Sequence, residues 1–257
     1  MRKLFATVGL LASFGVFGQN DTDADWKRTV YSEEFTIGVV LHTGSPWPGF
    51  NFRRLHWTDG FTKWGYEIDY TAYRHPREIK YPAQSILGSS RSFTYGKIND
   101  FFAFRTGYGR ERVLYDKQDR GTLSISLQTY GGVAWGMLKP VYVDVVRFTP
   151  DGNRIEGSER YDPEIHDNAM ISGQEPFFTG FSELQIRPGV YTKIGLSFDY
   201  NFLDEKITAM EVGTIFDYYP NWFGLYESNG VPVMARVDNP SLWWQIYISF
   251  NFGNKWY

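Results

Sequence analysis

Apolar side chains alternate with small or polar ones along most of this chain. In the C-terminal run, Leu242, Trp244, Ile246, Ile248, Phe250 and Phe252 share one parity, and Trp243, Gln245, Tyr247, Ser249, Asn251 and Gly253 the other. A β-strand turns successive side chains to opposite faces, so this run is a strand with one apolar, aromatic face and one mixed, polar face. The same period predicts seven earlier strands, over about 33–43, 50–57, 61–74, 92–108, 121–135, 189–202 and 206–218. The fifth carries its β-rich pattern on toward Phe148, past Pro140, where a bulge or a sheet edge is expected. On the third, Trp64, Tyr66, Ile68 and Tyr70 point outward, with Gly65, Glu67, Asp69 and Thr71 inward.

The connections sort by length. Those at 58–60, 109–120 and 203–205 are short or medium, and those at 75–91, 149–188 and 219–240 are long; the first, at 44–49, is short. Outer-membrane barrels pair short periplasmic turns with long outside loops. The predicted fold is therefore all-β: an eight-stranded antiparallel transmembrane β-barrel with long extracellular loops and both ends on the periplasmic side. No apolar run approaches the roughly 20 residues that a spanning helix needs.

Composition sharpens this picture. Of the 257 residues, 19% are aromatic, which suits a lipid-facing band with aromatic girdles. The mean hydropathy of -0.37 is no objection, because a barrel places its apolar residues at every second position. The absence of cysteine excludes disulfides, thiolate metal sites and cysteine nucleophiles. A net charge of -3 gives no footprint for nucleic acid. Residues 1–18 have the form of a signal peptide: Arg2 and Lys3, an apolar stretch from Leu4 to Phe17, and a small residue, Gly18, before Gln19. Residues 19–31 are expected to form a polar, flexible segment, and the barrel is expected over 32–257.

The inward faces carry charge of both signs. Glu67, Asp69, Asp199, Glu211 and Asp217 oppose Lys97, Arg105 and Lys193. An eight-stranded barrel is only wide enough for side chains to fill it, so an interior of ion pairs is expected, with a narrow pore as the alternative. The four histidines, His42, His56, His75 and His166, show no ligand spacing for zinc, and no cofactor is expected. Asp162, Glu164, His166 and Asp167 cluster in the longest loop, either as a solvated acidic turn or as a weak cation site among lipopolysaccharide phosphates. They lack the ligand order of a calcium loop. A lipid hydrolase would need a serine near His42. Counting from the strand ends puts the inward Ser249 about six residues, or roughly 20 Å, below it, so no triad is expected. Phe177, Phe178, Tyr218, Tyr219, Trp222, Phe223 and Tyr226 lie in or beside the long loops, as a docking surface or as packing over the barrel mouth.

Several stretches carry a resemblance: Gly49-Phe50-Asn51-Phe52-Arg53-Arg54, His75-Pro76-Arg77-Glu78, Tyr95-Gly96-Lys97-Ile98-Asn99, Gly136 through Tyr142, and the Phe-rich end. Over most of its length the chain resembles the small outer-membrane β-barrel proteins of Bacteroidota. The terminal Tyr257 matches the aromatic of a barrel-assembly signal, although the alternation stops at Phe252. The resemblance implies the compartment and, by analogy, an accessory place in a larger outer-membrane complex. The function expected is therefore non-enzymatic: a structural or accessory subunit that binds a partner protein or lipopolysaccharide through its outside loops. A lipid A-modifying hydrolase and a narrow pore are the alternatives.

Overall fold

The computed structural model describes residues 31–81, 92–116, 123–148, 153–166, 170–200, 205–226 and 230–256. The proposed signal and most of the polar segment after it lie outside the described residues. Thirteen strands are present among those described: β1 (Glu33–His42), β2 (Gly49–Trp57), β3 (Thr62–Tyr73), β4 (Lys80–Tyr81), β5 (Phe93–Thr94), β6 (Asn99–Tyr115), β7 (Ser124–Pro140), β8 (Tyr142–Phe148), β9 (Arg154–Arg160), β10 (Ile171–Gln174), β11 (Gln185–Asp199), β12 (Lys206–Tyr218) and β13 (Leu242–Trp256). Eight of them close a barrel in the order β1-β13-β12-β11-β7-β6-β3-β2, every neighbouring pair antiparallel. The seam between β1 and β13 runs in register from Glu33 opposite Trp256 to His42 opposite Tyr247.

The alternation sets the two sides of the wall. Ile37, Val39, Leu41, Ile246, Ile248 and Phe250 stand exposed on the outside, while Val40, Tyr247, Ser249 and Asn251 are buried inside. Closure pairs both edges of every barrel strand, which meets the backbone requirement for crossing hydrocarbon. The exposed apolar wall is the surface that lipid covers.

Three segments depart from the sequence expectation. β6 runs on to Tyr115, through residues expected to form a charged connection. Its lower part pairs with β7 as far as Tyr115 opposite Ile125. Arg110 and Arg112 face outward there and Glu111 inward, so this stretch has no apolar face to reveal a strand. At Pro140 the chain leaves the barrel: β8 pairs instead with β9 and β10 in a separate three-stranded sheet. The stretch expected to be irregular thus contains β9, β10 and the start of β11. β9 was hidden because it is polar and exposed along nearly all its length. The tail from Gly253 to Trp256, where alternation fades, still belongs to β13, held by pairing with residues 33–36 of β1. Under the small sheet, Val141, Val143, Val145, Tyr161, Ile171 and Phe93 form a second apolar cluster.

Candidate functional site

Inward positions of six strands meet in the lumen as a stack of ion pairs. At the turn end, Lys63 of β3 donates to Glu34 of β1 at 3.1 Å and to Glu111 of β6 at 3.0 Å. In the middle, Arg53 of β2 reaches Glu67 of β3 at 3.0 Å and Glu211 of β12 at 2.7 Å. Lys193 of β11 lies 2.5 Å from Glu67 and 3.6 Å from Asp69. Toward the loop end, Arg105 of β6 bonds Asp217 of β12 at 2.6 Å and pairs with Asp69 of β3. The charged side chains of these two upper layers are at most 2% exposed.

Counted over the three layers, Glu34, Glu67, Asp69, Glu111, Glu211 and Asp217 face Arg53, Lys63, Arg105 and Lys193, a surplus of acid. Tyrosine hydroxyls help to hold it. Tyr73 donates to Asp217, and Tyr247 to Glu211. Tyr247 reaches across because β11 and β12 present glycines there: a Cβ at Gly213 would lie 2.6 Å from its hydroxyl. Asn251 adds a further bond to Glu211 at 3.1 Å. Such bonds matter because a buried charge is costly unless paired and hydrogen-bonded.

Above this stack the mouth is filled. Tyr73, Phe101, Tyr219 and Trp243 pack with ring centroids 4.9 to 5.4 Å apart. Val231, Val233 and Met234, from the segment between β12 and β13, are buried in the same cluster. That segment is tied down by hydrogen bonds from Ile98 to the Val233 carbonyl at 3.0 Å, from Asn99 to Pro232 at 2.7 Å and from Arg187 to Gly230 at 2.6 Å.

Of the interior charges expected from sequence, Glu67, Asp69, Arg105, Lys193 and Glu211 meet in this network. Lys97 does not. It lies between β5 and β6, outside the barrel strands, and pairs with Glu78 at 3.1 Å and Asp100 at 2.9 Å. Burial pushes its ammonium down, but Asp100 and Glu78 outweigh that and hold it above its ordinary value. Asp199, the last residue of β11, sits at the turn-end rim, 3.7 Å from Lys255. The alternation pointed to Arg53 as well, since it shares parity with Asn51, but sequence reading left it unassigned. Glu111 fell in a stretch read as a connection, and its partners Lys63 and Glu34 went with it.

The loop aromatics do not form one surface. Tyr219 is buried in the mouth. Tyr226 lies against the Arg187 guanidinium, 4.5 Å from its ring centroid, and Trp222 donates to the Pro188 carbonyl at 2.9 Å. The Phe223 side chain lies outside the described residues. Phe177 and Phe178 pack instead with each other and with Phe181, and Phe177 with Phe102.

In the acidic turn, the Asp162 carboxylate accepts from the Glu164 amide at 2.9 Å, and His166 pairs with Glu159 at 3.1 Å. Asp167 lies outside the described residues. Among the described residues, no group of three or more His, Asp or Glu is disposed to hold a metal ion. The register corrects the distance from His42 to Ser249. His42 faces Tyr247, so Ser249, facing Val40, is two residues away, about 7 Å at strand rise. The count from strand ends failed because β13 runs past the end of β1 by five residues, from Leu242 to Ile246. The Ser249 hydroxyl donates to Asn251 at 2.9 Å and accepts from Asn51 at 3.2 Å. Neither His42 nitrogen has a hydrogen-bond partner among the described residues. The base-to-nucleophile bond that a hydrolase requires is therefore not made.

No family model matches the chain, and no curated protein matches it. The solved structures to which it is similar include three bacterial outer-membrane barrels. One is Neisserial surface protein A, 10% identical over 87% of this chain and 96% of that one, with a TM-score of 0.39. Another is the N-terminal β-barrel domain of Pseudomonas aeruginosa OprF, 8% identical over 88% and 99%, with a TM-score of 0.34. The third is Ail, the attachment invasion locus protein of Yersinia pestis, 9% identical over 88% and 100%, with a TM-score of 0.34.

Proposed function

We propose that this chain is a sealed, non-enzymatic barrel of the bacterial outer membrane that acts as a membrane-embedded accessory subunit. In this reading its loop end faces outward and presents the β8–β9–β10 sheet to a partner protein. The observation that carries the reading is the occupied lumen: among the described residues, two layers of buried ion pairs lie under an aromatic plug. What varies freely on such a scaffold is the loop end, where the chain spends more than forty residues between Pro140 and Gln185.

Purification from the outer membrane in mild detergent tests the partner directly. Replacing residues 142–183 with a short linker removes the extra sheet while sparing β7 and β11. The variant is expected to lose a stoichiometric partner that the intact chain retains, and an unchanged set of co-purifying proteins would refute the proposal. In planar bilayers the purified barrel is expected to be electrically silent. Discrete conductance steps would favour the pore instead.

A further inference from the structure

The lipid-facing pattern of the wall breaks between β6 and β7. Facing pairs Phe104–Trp135 and Phe102–Met137 are apolar, but the next pair toward the loop end is Asp100–Lys139, bonded at 3.0 Å. These residues share the outward parity of Phe102, yet Lys139 is only 2% exposed. What covers it is the segment 175–184, which folds back over the outside of the barrel and not across its mouth. The Lys139 ammonium donates to the Thr179 carbonyl at 3.4 Å and lies 5.4 and 5.8 Å from the ring centroids of Phe177 and Phe181. Phe177 meets Phe102 edge-on at 5.9 Å. A left-handed turn at Gly180, with φ of 89°, brings the segment close enough that a Cβ there would lie 2.9 Å from the Pro140 carbonyl.

The outer side of this segment is aromatic. Phe177, Phe178 and Phe181 are 46%, 80% and 40% exposed, with centroids 5.4 to 6.0 Å apart. We infer that the segment is a membrane anchor: the three rings lie among lipid acyl chains at the headgroup boundary and extend the barrel's apolar band over the Asp100–Lys139 pair. The band on β6 is too short without them. Its outward run from Phe102 to Tyr108 is apolar apart from Thr106 and is bounded by Arg110. Six residue steps give about 20 Å along the strand, or roughly 15 Å along the membrane normal at a ~40° tilt, against an apolar band of about 25 Å. The rings are continuous with the wall through Phe102, and phenylalanine side chains gain free energy on moving from water into the apolar layer. A protein covering the rings is the competing occupant.

The chain has no cysteine, so single nitroxide labels report cleanly. In phosphatidylethanolamine–phosphatidylglycerol vesicles, a label at Phe178→Cys is expected to favour collision with oxygen over a nickel chelate several-fold more than one at Ser158→Cys on β9. It should approach Ile248→Cys on the wall. Phe181→Cys supplies a second reporter should the first variant fold poorly, as judged by its heat-modifiable gel mobility. Nickel access equal to that at Ser158 would overturn the inference. So would shielding from both reagents that occurs only in native outer membrane, which would assign the rings to a protein.

Discussion

Arg105 holds two carboxylates from opposite sides of the lumen, Asp69 and Asp217, and shares the Tyr73 hydroxyl with the latter. Substituting it with alanine leaves Asp217 buried without its cation and Asp69 with Lys193 alone, at 3.6 Å. Removing one partner of a buried pair costs about 3–5 kcal/mol. Arg105→Ala is therefore expected to lower the urea midpoint of unfolding in vesicles markedly, whereas Arg54→Ala, on the outer face at the turn-end rim beside Glu33, should change it little, because exposed pairs are worth about 0–1 kcal/mol. At this scale much was legible. Parity alone assigned Glu67, Asp69, Arg105, Lys193 and Glu211 to the interior. Arg53 was not among them, although it shares parity with Asn51; its role emerges only when the closed wall brings Glu211 within reach. Lys97 was misplaced because the segment before β6 packs Phe93, Tyr95 and Ile98 into the second apolar cluster, so its alternation does not report on the lumen.

Elements whose two faces differ were legible, and elements whose faces match were not. β12 was found to the residue because Met210, Val212 and Phe216 alternate with Glu211, Gly213 and Asp217. β9, apart from Ile155, and the Arg110–Arg112 stretch of β6 are polar on both sides, as strands beyond the hydrocarbon can be, so no period marks them. The segment after β3 gives an element-scale prediction. His75 is buried against Trp243, at 6.2 Å between ring centroids, and its Nδ1 accepts from the Arg77 amide at 3.2 Å. Burial lowers its pKa below the ordinary 6.5, with Arg77 acting in the same direction and Glu78 opposing. The folded segment then binds fewer protons than the unfolded one below about pH 6.5, so its stability falls as the solution is acidified. Amide exchange over residues 74–81, corrected for intrinsic rate, should quicken between pH 7.5 and pH 5.5. The same acceleration in His75→Gln would refute the assignment.

At the scale of the whole molecule, the seam between β1 and β13 has a consequence for assembly. It joins positions more than two hundred residues apart, so its loop-closure cost falls due before its own bonds can repay it. Until those bonds form, the growing sheet carries two raw margins, one on β1 and one on the strand most recently added. Either margin can template a foreign strand. The protein is thus most open to mispairing in the interval before its last strand arrives. Closing the seam between Trp256 and Tyr247 turns an aggregation-prone ribbon into a closed wall with no free margin left to offer.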